Sequence, residues 1–172
     1  GLVWMTIMFA GLLGVGRTFH LEAEDGAFQG ILMSPVPKDA IFIAKALANF
    51  VFLYIMALLV VGVFIFFFGL EVGGSFGMLT LVIALGVLAF VALGTLFTAV
   101  LTGTRMGDTL LPVLIFPLLA PVVIYGTGAT SQFLAGRPVT EAEGSIRMLA
   151  AFALTAFFLG SWLCLLYTSD AA

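Results

Sequence analysis

The chain has 172 residues, 63% of them apolar and only 9% charged, with a formal net charge of −3 and a mean hydropathy of +1.28. A soluble domain is roughly half apolar and a quarter charged, so a water-soluble globular fold is excluded and the chain reads as an all-α, polytopic helical membrane protein. The charge balance says little, because almost every charge lies between apolar runs, and the single cysteine, Cys164, cannot form an internal disulfide.

Five apolar runs follow one another. The first, Gly1 to about Val15, is short for a span of roughly 20 residues. The chain starts on Gly rather than Met, directly in apolar sequence and without a cleavable signal pattern, so the true N-terminus is expected to be missing. Gly11, Gly14 and Gly16 suit either close helix approach or a flexible exit.

The stretch Arg17–Lys38 is the part built for water. It carries Arg17, His20, Glu22, Glu24, Asp25 and Lys38, six of the sixteen Lys, Arg, Asp, Glu and His residues. Phe28, Ile31 and Leu32 recur at i, i+3 and i+4, placing three apolar groups on one face of about two helical turns. Ser34-Pro35-Val36-Pro37 then ends the helix, since proline lacks an N–H and biases its predecessor away from helix. A short amphipathic helix led in by acids and closed by prolines is a natural docking element; an interfacial helix resting on lipid is the alternative.

The second run, Ile41 to about Gly69, holds Lys45 one turn inside, where its stem can snorkel to the interface. A turn at Leu70–Gly77 leads to the third run, Met78–Thr102, which has no charge and carries a small-residue ridge at Gly94, Thr98 and Thr102. After a polar turn to Asp108, the fourth run, Leu110–Gly128, contains Pro112, Pro117 and Pro121. Such a helix must bend or break, because each proline removes a donor from the ladder. A loop from Ala129 to Arg147 follows, with the capping-box pattern Thr140-Glu141-Ala142-Glu143 predicting a short helix. The fifth run, Met148 to about Tyr167, has Trp162 and Tyr167 placed as interface anchors. Residues 1–167 thus form one transmembrane domain, and 168–172 read as a tail without function. If the spans alternate, Arg17, Lys38, Lys45 and Arg105 lie on one side and Arg137 and Arg147 on the other, which puts 17–40 on the cytoplasmic side.

No G-x-x-x-x-G-K-[ST] phosphate loop exists in the sequence. No pair of His, Asp, Glu or Cys falls inside a span, so no catalytic, cofactor-binding or metal-binding residue is assigned; His20 alone is a poor ligand for a metal or a haem iron. Energy must therefore come from outside the polypeptide, with another subunit supplying the work, or none is used.

Three stretches carry a resemblance. They are Gly1-Leu2-Val3-Trp4; Leu21-Glu22-Ala23-Glu24-Asp25-Gly26 through Leu32-Met33-Ser34-Pro35-Val36-Pro37, with Ala44-Lys45 beyond; and Leu111-Pro112 through Phe116-Pro117-Leu118-Leu119-Ala120-Pro121-Val122-Val123-Ile124-Tyr125-Gly126. The acidic-Gly cluster, short apolar helix and Ser-Pro resemble the coupling region of ABC-2-type exporter permeases. More narrowly, the chain resembles the heme exporter protein B family, permease subunits of the cytochrome c maturation system, up to about Leu166. It departs from that family in lacking a first span and in having Ala27-Phe28-Gln29-Gly30 where relatives usually show Ser-Leu-Glu-Gln.

The resemblance implies a six-helix permease, five of whose helices are visible, in the bacterial inner membrane. It implies a separate ABC ATPase subunit that binds the ATP, other maturation membrane subunits and a periplasmic haem chaperone, with haem as the candidate substrate and no nucleic-acid partner. The ATPase-coupling residues would be Glu22, Glu24, Asp25, Gly26, Phe28, Ile31, Leu32, Ser34 and Pro35, and the kinked segment Pro112, Pro117, Pro121 and Gly126. A permease for lipid or drug, or a non-transporting scaffold for haem-handling partners, is the alternative.

Overall fold

The computed structural model describes residues 1–24, 38–70, 76–101 and 107–169; at several helix ends it describes the backbone but not the side chains. Six helices and no strand make up the described residues: α1 (Leu2–Glu24), α2 (Lys38–Phe68), α3 (Phe76–Leu101), α4 (Gly107–Leu118), α5 (Ala120–Leu134) and α6 (Val139–Ser169). Helices are what hydrocarbon permits, because each satisfies its own backbone donors and acceptors. Three of them contain stretches long and apolar enough to cross a membrane: Ile43–Phe68, Phe76–Phe97 and Val139–Trp162. The apolar part of α1, Leu2–Gly14, is shorter. At 12 and 15 residues, α4 and α5 are each too short alone and stack end to end as one segment. All five apolar runs read from the sequence are therefore helical, and three of them are long enough to span.

The core is organised on α3. It packs against all five other helices, and 56% of its membrane window is buried, against 17% for α2 and 22% for α6. A helix that is apolar all round suits this position; Val82, Val87, Ala89, Val91 and Ala92 are buried on different sides of it. By contrast, α2 turns one stripe inward, Ala46, Leu53, Ala57 and Val61, and leaves Leu47, Phe52, Ile55, Leu59 and Phe66 exposed on the outside, where lipid would lie.

The helix ends sort into two sets. Val3, Ile65, Leu70, Leu79 and Leu134 line one cavity, so the start of α1, the end of α2, the start of α3 and the end of α5 share one end of the bundle. Arg137 belongs to that end, and Lys38 and Lys45 to the other, as alternating spans require. The two turns there use glycine at positive φ, Gly69 at 59° and Gly136 at 68°. Each allows the next N–H to reach back, Leu70 to the Ile65 carbonyl at 3.2 Å and Arg137 to that of Gln132 at 3.1 Å, which caps α2 and α5.

Three boundaries differ from the sequence reading. First, α1 continues past Val15 to Glu24, so Gly14 and Gly16 lie within a helix and not in a flexible exit. Second, α5 runs on to Leu134 instead of ending at Gly128. Third, the separate short helix expected at Thr140 is the first part of α6, which starts at Val139 and passes Met148 unbroken. Its polar turns are held by exposed i,i+4 pairs, Arg137 to Glu141 at 3.1 Å and Arg147 to Glu143 at 2.6 Å, so polarity there does not end the helix.

Candidate functional site: a broken helix and its tryptophan seat

The proline run breaks its helix at a single residue. Leu119, at φ −82° and ψ −7°, separates α4 from α5, and Pro121 sits in the first turn of α5, a position where a missing N–H is tolerated. The Leu119 N–H is shared between the carbonyls of Ile115 at 3.0 Å and Phe116 at 3.3 Å, and Val123 resumes the ladder on Leu119 at 3.1 Å. Pro121 can offer nothing to the Pro117 carbonyl. No side chain caps the new helix start. Ile115 and Leu119 turn into the core, whereas Val113, Leu114 and Phe116 face outward. The Phe116 ring meets Phe9 of α1 at 6.1 Å between centroids.

About two turns along α5 from the break, α1 is set into α3 and α5. Trp4 is 1% exposed. Its indole lies so close to Gly86 on α3 and Gly126 on α5 that a β-carbon on either would come within 2.4 Å and 2.5 Å of the ring. The indole Nε1–H donates to Thr130 Oγ1 at 3.1 Å, and the Thr130 hydroxyl donates in turn to the Gly126 carbonyl at 2.7 Å. One aromatic side chain thus joins three helices through two glycine gaps and a hydrogen-bond chain. Further along α1 the relation reverses: Phe90 of α3 lies over Gly11, where a β-carbon would be 2.7 Å from the ring. In a bilayer such contacts act through dispersion and hydrogen bonding rather than through exclusion of water.

A cavity of about 20 Å³ adjoins the indole, lined by Val3, Val61, Ile83, Thr130 and Leu134 among others. Among the described residues, four buried polar atoms have no hydrogen-bond partner: Asn49 Nδ2, Thr95 Oγ1, Thr127 Oγ1 and Gln132 Oε1. Two are at one level of the bundle. Val61 and Ile83 meet at the cavity, and twelve residues further along these antiparallel helices stand Asn49 and Thr95. An unpaired buried polar atom costs about 1–3 kcal/mol, so α2 and α3 carry a local penalty there.

Of the residues singled out in the sequence, Gly126 lies against Trp4, Pro117 and Pro121 flank the break at Leu119, and Pro112 stands seven residues before Leu119 on α4. Glu22 and Glu24 form part of the last turn of α1. Asp25, Gly26, Phe28, Ile31, Leu32, Ser34 and Pro35 lie outside the described residues. Trp162 is 61% exposed.

The sequence profile of the CcmB protein family matches residues 1–164. The chain belongs to the CcmB protein family. Among curated relatives, it is 34% identical over 155 residues to "Heme exporter protein B" of Pseudomonas aeruginosa, covering 90% of this chain and 69% of that protein. It is 32% identical to the proteins of the same name from Rhodobacter capsulatus, over 73% of this chain and 57% of the relative, and Paracoccus denitrificans, over 79% and 62%. The chain therefore spans roughly three fifths to two thirds of the length of these relatives. The match includes both the proline break and the Trp4 seat. Neither Trp4 nor its partners Gly86 and Thr130 stands out by spacing; a Trp near the start of an apolar run followed by glycines is the one visible signal.

Proposed function

We propose that this chain is the membrane permease subunit of an ATP-driven exporter that moves haem, or delivers it, for c-type cytochrome maturation. The observation that carries this reading is the family match across residues 1–164, supported by the relatives' name. The membrane-spanning helices supply the permease body. ATP binds to a separate ABC ATPase subunit, which works on the permease through the cytoplasmic 17–40 region. Other maturation subunits and a haem chaperone meet it at the membrane, which is the bacterial inner membrane, and haem is substrate rather than a resident cofactor.

Deleting the gene tests the reading. Loss of all c-type cytochromes with b-type haem proteins unaffected, restored by the gene in trans, is the expected result. Normal c-type cytochromes in the deletion strain, or defects confined to lipid or drug export, contradict it.

A further inference from the structure

We infer that α1 is a lever and that Trp4 is the positioning residue through which movement of its Glu24 end reaches α5. The inference rests on the functional reading above, in which force enters the permease at residues 17–40. The helix is unbroken from Leu2 to Glu24, so its two ends move together. Phe90, lying over Gly11, pins it to the central helix and supplies the pivot. From that point the arm to Trp4 is seven residues, roughly 10 Å, and the arm to Glu24 thirteen, roughly 20 Å, at about 1.5 Å of rise per residue. A displacement of Glu24 is therefore delivered at Trp4 at about half its size and in the opposite direction.

Trp4 is built to pass it on. With Gly86 and Gly126 both in contact with the ring, the indole cannot tilt without pressing on α3 or α5. The central helix packs against all five others, whereas α5 lacks one ladder bond to α4, the donor that Pro121 removes, so it can bend at Leu119 while staying packed against α6. The bond to Thr130 and on to the Gly126 carbonyl ties the indole to α5 itself. The cavity beside Ile83 and Thr130 leaves room on the other side of the ring. Packed interfaces of this kind shift between discrete arrangements rather than deforming smoothly.

The test uses the full-length protein in membranes with its ATPase subunit. Trp4→Ala and Thr130→Val should retain the ATPase and hydrolyse ATP within twofold of the parent, while mature c-type cytochrome falls at least tenfold for the first and about threefold for the second. A second readout follows motion directly. With Cys164→Ser as background, Ile83→Cys places one thiol on the cavity wall at a site 2% exposed. A small methanethiosulfonate reagent should modify it at least fivefold faster during ATP turnover than at rest, and equally fast in both conditions once Trp4 is alanine. A rate unchanged by ATP in a parent complex that hydrolyses ATP and assembles cytochromes overturns the lever. So does parental cytochrome yield in both Trp4→Ala and Thr130→Val. A parent that recruits no ATPase registers separately, as failure of the functional reading.

Discussion

A single added methyl group measures how tightly the Trp4 seat is made. At Gly86 the new carbon would lie 2.4 Å from the indole, well inside contact distance, so ring or helix must give way. Overpacking of this kind typically costs about 1–3 kcal/mol. Gly86→Ala should therefore lower the midpoint of thermal unfolding in detergent, whereas the same change in a Trp4→Ala background should be nearly neutral, because the clash is with the ring. Equal losses in both backgrounds would mean that Gly86 serves the helix and not the seat. The residue scale is also where the sequence is least legible. Trp4 enters the sequence reading only as part of Gly1-Leu2-Val3-Trp4, and nothing in that stretch shows that its ring is buried against glycines far along the chain. Asn49 and Thr95 are visible as polar residues in apolar runs, but their lack of partners depends on how α2 and α3 are set together.

The break between α4 and α5 was legible, because proline acts on its own helix and needs no distant partner. Pro117 and Pro121, one turn apart, place the interruption within a residue or two of Leu119. Helix ends were less so: polar residues suggested that α1 stops near Val15 and that α6 starts at Met148, yet i,i+4 pairs carry α6 back to Val139. Restoring both missing donors tests whether the break is used. Pro117→Ala with Pro121→Ala should join α4 to α5 and leave insertion unchanged, while mature c-type cytochrome falls at least threefold. Full maturation in that double variant would leave the break as a packing feature only.

At the scale of the whole molecule, α3 is the fixed member around which the rest is arranged, and what differs between the ends is how force could enter. The class of fold followed from composition alone, because a chain with so few charges has no soluble alternative. The assignment to a permease followed from short motifs on either side of a span, and the family match covers both. We propose that a separate ATPase works this subunit through Phe28, Ile31 and Leu32, whose i, i+3, i+4 spacing would set them on one helical face. Burying those side chains on a partner could contribute roughly 1.5–3 kcal/mol each before ordering costs, enough for one pair of charges to undo. The most direct measurement is co-purification of the ATPase with the tagged permease, comparing the parent with the Ile31→Asp, Leu32→Asp double variant at equal membrane insertion. Loss of the ATPase together with loss of c-type cytochrome is the expected result; an ATPase recovered in normal yield with the double variant would contradict the account.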